Sequence, residues 1–163
     1  MKKLNKKGFT LIELLAVIVI LAILVTVSIP AVTKYLGTAR KGTFVTNAQT
    51  AISAVRNHVI STGVINGNYA VSEVNNLFES GKKLTKSPYG KEYSSNSYVQ
   101  VEHDDATNVT TYSICLIDTN GAGIALTEEG NLKDDSVKTT GVTCTLPTDL
   151  NTVACDENPD NCS

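Results

Sequence analysis

The chain has 163 residues, 42% of them apolar and 18% charged, with a formal net charge of −2. That composition suits one globular domain with a real core and excludes a disordered or low-complexity chain. Lys2, Lys3, Lys6 and Lys7 all lie in the first eight residues, and the remainder of the chain carries 10 basic against 16 acidic residues; with Lys82, Lys83 and Lys86 as the one later basic cluster, this argues against nucleic acid as the main partner, because phosphate binding needs a concentrated basic face.

The first element comes directly after those lysines. From Phe9 to Ile29 the sequence reads FTLIELLAVIVILAILVTVSI, interrupted only by Thr10, Glu13, Thr26 and Ser28. As a helix these residues, 9–29, span about 31 Å, enough to cross the hydrocarbon core of a bilayer. A cleavable secretory signal has a shorter apolar stretch and then small residues, whereas this run ends at Ile29-Pro30. The lysines precede it, so the positive-inside bias keeps residues 1–8 cytoplasmic and sends the rest of the chain outward. Glu13 is the anomaly, since a charge at a helix centre in lipid costs about 2.5 to 3.5 kcal/mol and is tolerated only near the edge or with a partner.

The stretch KKGFTLIELL, with Gly8 before Phe9 and a glutamate at the fifth position after the glycine, resembles the class III signal of type IV pilins and pseudopilins. The resemblance implies a leader over residues 1–8, a cut by prepilin peptidase between Gly8 and Phe9, methylation of the new amine at Phe9, and an assembly role for Glu13. It also implies that Pro30 is a helix-bending proline. The physical chemistry agrees: the cut would create an α-amino group at Phe9 with a pKa near about 8. In a bundle of such helices each Glu13 carboxylate can meet an amine across a medium of low dielectric constant.

Between Pro30 and Ser61 apolar residues recur at three-to-four spacing, at Val32, Tyr35/Leu36, Ala39, Phe44/Val45, Ala48, Ala51/Ile52, Val55 and Val59. The pattern predicts an amphipathic continuation of the same helix, over residues 30–63, with Gly63 as its stop. Phe9 to Ser61 would then form one helix of about 80 Å, loosened or bent at Pro30, Gly37 and Gly42.

Residues 64–163 read as an extracytoplasmic globular region. Asn66-Gly67 signals a turn, and residues 73–78 a short helix ended by Gly81. The runs around Val99–Val101 and Thr110–Ile117 predict a hairpin turning at Asp104 to Asn108, with further strands at residues 123–126 and 142–146. The expected fold is therefore α+β and, by the resemblance, type IV pilin-like: a long N-terminal helix, spanning then amphipathic, packed on a small antiparallel sheet of three or four strands.

Cys115, Cys144, Cys155 and Cys162 are even in number and lie downstream of a membrane-entering segment, which reads as disulfides in an oxidising compartment. Four cysteines allow three connectivities. Cys115 with Cys144 and Cys155 with Cys162 is the preferred set, and Cys144 with Cys155 stays open as the C-terminal loop that pilins often carry. No zinc spacing occurs. The stretch DTNGAG from Asp118 lacks the carboxylates of a calcium loop, and His58 and His103 have no partners in sequence that would make a catalytic or metal site. No enzyme, cofactor or metal is expected.

The reading is a structural subunit of a type IV pilus for adhesion or surface motility: a prepilin in the bacterial cytoplasmic membrane, processed after Gly8, then an extracellular filament of identical subunits. Its partners are prepilin peptidase, the pilus assembly machinery, the membrane before assembly and further copies of itself. The rivals are a pseudopilin of a type II secretion or DNA-uptake system and a single-pass anchored binding protein that never polymerises. Mass spectrometry of the mature N-terminus separates the filament readings from the last: a methylated Phe9 is expected, and an intact Met1 or a cut near Ala31 overturns them.

Overall fold

The computed structural model describes residues 9–63, 66–78 and 83–151. The expectations placed on Gly8, Gly81, Cys155 and Cys162 lie outside the described residues. Helix α1 (Leu11–Thr62) is 52 residues long and stops where the sequence indicates. Gly63 takes a left-handed φ of 73°, and its N–H donates to the Val59 carbonyl at 2.8 Å, a glycine C-cap. Pro30 lies inside α1 without ending it. Proline has no N–H to offer the Thr26 carbonyl, and on the next turn the Thr33 hydroxyl donates to the carbonyls of Ile29 at 3.1 Å and Pro30 at 3.0 Å.

The chain divides into two compact units, Met1–Thr38 and Ala39–Ser163. In the first, the described residues are the opening part of α1, residues 11–38, and the two that precede it, and every residue from 9 to 36 is exposed. Leu, Ile and Val side chains surround this part of the helix on all sides, the pattern of a lipid-facing segment and not of an amphipathic surface helix.

In the second unit α1 buries Phe44, Val45, Ala48, Ala51, Ile52, Val55 and Val59, the stripe its spacing predicts. The stripe packs on an antiparallel sheet of five strands in the order β1-β2-β3-β4-β5: β1 (Gly67–Ala70), β2 (Tyr98–Asp104), β3 (Val109–Ile117), β4 (Gly123–Glu128) and β5 (Val137–Lys138). Alternation along the strands sends Tyr69, Val99, Val101, Tyr112, Ile114, Leu116, Ile124 and Val137 to the helix side. Tyr98, Cys115 and Ile117 point to the opposite face, where they form a second cluster with Val142 and Cys144. Across the helix–sheet seam Arg56 pairs with Glu129, and its guanidinium lies 4.6 Å from the centroid of the Tyr112 ring.

Three local features differ from the sequence reading. The sheet has five strands instead of three or four. β1 begins directly at the Asn66-Gly67 turn signal, and β5 is only two residues long. The short helix starts earlier than expected, as α2 (Val71–Val74) and then a 3-10 turn at Asn75–Leu77. Residues 142–146 are not a strand. Val142, Cys144 and Leu146 do alternate toward the outer cluster, but the segment lies over the face of the sheet and not beside an edge, so its backbone has no ladder to join. The β2–β3 hairpin is as expected. At its tip the Asp104 carboxylate accepts the Thr107 hydroxyl at 2.7 Å and the Ala106 N–H at 2.9 Å, and these bonds hold its carboxyl below the usual range.

Beyond β5 the chain crosses the outer face of the sheet from one edge to the other. The Val142 N–H donates to the Gly121 carbonyl at 3.0 Å, and Cys144 is disulfide-bonded to Cys115 on β3 with Cα atoms 5.8 Å apart. Leu150 makes a parallel bridge to Asn68 on β1. Closing a loop across a sequence separation of 29 removes unfolded-state entropy that is equivalent to about 3 to 4 kcal/mol.

Under α1, Tyr93 stands edge-on to Phe44 with ring centroids 5.6 Å apart, and its phenol oxygen accepts a hydrogen bond of 2.9 Å from the Asn47 amide. Burial pushes its pKa up from 10.0 to about 12, opposed by the Asn47 bond and aided by the nearby Asp118 carboxylate. The folded state therefore holds this proton more tightly than the unfolded state. The associated stability is complete below the ordinary phenol pKa of about 10 and is lost as pH rises through about 12. Denaturant titrations from neutral to alkaline pH should show stability falling across that window, with a smaller fall in Tyr93→Phe; an identical slope in the two proteins refutes the assignment.

Candidate functional site at the start of the helix

The residues that the sequence singles out as a processing and assembly site are Gly8, Phe9 and Glu13. Gly8 is outside the described residues. Phe9 precedes the helix and is 88% exposed. Thr10 occupies the N-cap position, with its carbonyl accepting the Leu14 N–H at 3.3 Å.

Glu13 is the third residue of α1, and its carboxylate turns back along the chain. Its Oε2 accepts the Thr10 N–H at 2.8 Å and the Thr10 hydroxyl at 2.7 Å. The Glu13 N–H donates to Thr10 Oγ1 at a longer 3.4 Å. This reciprocal arrangement is a capping box, in which two otherwise unpaired N–H groups of the helix start gain side-chain acceptors. A negative group at this end is also favoured by the helix dipole. Within one isolated chain, then, the carboxylate that looks unpaired in an apolar run has a partner, and that partner is Thr10. Sequence reasoning missed this contact, although T-x-x-E at a helix start is the signal that marks it.

The other polar side chains of the apolar run are similarly satisfied. Thr26 donates to the Ala22 carbonyl and Ser28 to the Leu24 carbonyl, both at 2.8 Å. A hydroxyl bonded to its own preceding turn can enter lipid without an unmet donor. Glu13 Oε1, by contrast, accepts no hydrogen bond among the described residues.

Among the described residues the sheet-bearing unit offers no comparable chemistry. Asp118 is 2% exposed, and its oxygens accept the Asn120 N–H, the Ala122 N–H and the Ser87 hydroxyl. The carboxylate thus clamps a turn. His103 Nδ1 lies 2.9 Å from the Thr110 hydroxyl, and the His58 ring stands edge-on to Tyr69; both make contacts suited to packing. Among the described residues no group of three or more histidine, cysteine and carboxylate side chains is gathered to hold a metal.

Residues 3–29 match the prokaryotic N-terminal methylation motif. The chain thus carries the class III signal of type IV pilins and pseudopilins, and the match covers Lys3, Lys6 and Lys7, the Gly8-Phe9 step, Glu13 and the apolar run through Ile29. No curated protein and no solved structure matches the chain.

Replacing Thr10 by alanine removes an N-cap worth about 1 kcal/mol and should raise exchange of the first-turn amides about fivefold in detergent micelles. Residues 44–59 serve as an unaffected control. Unchanged exchange at Ile12 to Leu14 contradicts the capping box.

Proposed function

We propose that this chain is the membrane-held precursor of a filament subunit of the type IV pilin kind. Residues 1–8 serve as its leader, residues 9–29 as its membrane-spanning and later filament-core segment, residues 30–63 as the amphipathic half of its helix and residues 64–163 as its outer region. The observation that carries the reading is the coincidence of the methylation motif with a helix whose apolar side chains are exposed all round from Leu11 to Leu36. Such a surface needs lipid before assembly and sister helices after it.

Prepilin peptidase cuts the Gly8–Phe9 bond, and the new amine is methylated and remains cationic. Glu13 then supplies the axial address. Its Oε1, unused by the capping box, is the acceptor available to the Phe9 amine of a neighbour, and in a low-dielectric bundle an unmatched carboxylate is strongly disfavoured. The right axial step is the one that pairs every carboxylate. Identical heterologous contacts that repeat without closing give a fibre, and residues 64–163 coat it. The role is structural and needs neither cofactor nor metal. The filament acts in adhesion or surface motility.

The Glu13→Ala variant tests the assembly step. Sheared surface filaments should fall at least tenfold while the membrane-bound level stays near that of the wild type, tenfold being about 1.4 kcal/mol of lost pairing. Wild-type filaments in which the chain is only a trace subunit favour the pseudopilin role. Surface display without filaments in either protein favours an anchored binder.

A further inference from the structure

The C-terminal segment after β5 is held in an unusual way. Between Val142 and Asn151 it crosses the outer face of the sheet, yet among the described residues its backbone–backbone bonds to the sheet and its turns lie at its two ends: the Val142 N–H to the Gly121 carbonyl at 3.0 Å, and the Asn151 N–H to the Asn68 carbonyl at 2.8 Å. Between these ends it is attached by side chains, Val142, Cys144 and Leu146 over Tyr98 and Ile117, and by the Cys115–Cys144 bond.

The far end fits β1 closely. Asn151 donates its side-chain amide to the Asn66 carbonyl at 3.0 Å and occupies the space where a side chain at Gly67 would begin. A Cβ on Gly67 would fall 1.7 Å from Asn151 Nδ2. β1 is an edge strand of only four residues. An open edge is a template for pairing with another chain, and here residues 149–151 cover it.

We propose that residues 142–151 form a redox-latched strap: the Cys115–Cys144 disulfide holds the strap across the sheet, and through it keeps the outer edge of β1 closed. Latching is a two-electron oxidation. The two thiols lose two protons and two electrons, the S–S bond forms, and a disulfide-bearing oxidant is reduced to its dithiol. The reverse step with a reducing dithiol restores both thiols and leaves the reagent as a cyclic disulfide. With the latch open, the strap keeps two end contacts and a few apolar side chains, too little to hold ten residues in order. The β1 edge then opens in a local transition that leaves the α1–sheet core standing. A chain whose head is still reduced thus presents a pairing edge that the oxidised chain does not.

The test uses the full chain in detergent micelles with Cys155 and Cys162 replaced by serine, so that one disulfide alone responds to the buffer. In buffers whose potential is graded with reduced and oxidised dithiothreitol, amide exchange of peptides covering 66–71 and 142–151 should rise roughly tenfold or more at the potential where the Cys115–Cys144 bond breaks. Peptides from 44–59 and 109–114 should not change. The C115S/C144S form of the same protein should behave as the reduced one under all conditions. Gly67→Ala, which displaces Asn151 without touching the latch, should open 66–71 while the disulfide stays intact. Exchange at 66–71 that ignores the redox state overturns the proposal, and so does a uniform rise that includes 44–59, since the disulfide would then be stabilising the whole unit and not latching a strap.

Discussion

A polypeptide segment that faces hydrocarbon has to satisfy its own backbone, because no water is there to do it. A helix does so with its own ladder of bonds; α1 is one helix of 52 residues, and the rest of the chain is arranged around the consequence. In the first unit the helix needs nothing from the protein, so its side chains can be apolar on every side. In the second unit the same helix has a wetted face and must turn one stripe toward a partner. The five-stranded sheet is that partner, and its inner face is cut to the stripe: Ile52, Val55, Ile114, Leu116 and Ile124 are all fully buried there.

Much of this is legible in the sequence because it is periodic. The three-to-four spacing from Phe44 to Val59 marks the buried stripe, and the two β-rich runs on either side of Asp104–Asn108 mark the hairpin. Gly63 marks the helix end because only a residue without Cβ takes its left-handed φ without strain. The features that escape are non-local. β1 is four residues long and exists because β2 lies on one side of it and Leu150 on the other, a contact no window of neighbouring residues contains. The alternation of Val142, Cys144 and Leu146 is real but reports burial, and burial on a sheet's face looks the same in sequence as burial within a ladder.

At the candidate site the difficulty is different. Set against the membrane, Glu13 shows its charge as the salient property, and that framing hides a short-range role. The same carboxylate caps the helix start by binding Thr10 with one oxygen, and the other oxygen accepts no hydrogen bond among the described residues. One residue thus does a local job in the lone chain with Oε2, and the assembly role proposed for it draws on Oε1. The two jobs are compatible because a carboxylate has more acceptor positions than the cap uses.

The back-bonded hydroxyls give the apolar part of α1 a further property. Thr26, Ser28 and Thr33 each turn their hydrogen inward to a carbonyl of the preceding turn, and from Leu14 to Thr33 the sequence has no charged residue at all. Seen from outside, that length is a rod of nearly uniform texture, and dispersion forces between two such rods would change little if one slid past the other. Such a surface is adhesive but carries almost no positional information. Two rods of this kind know where to stop only from their ends.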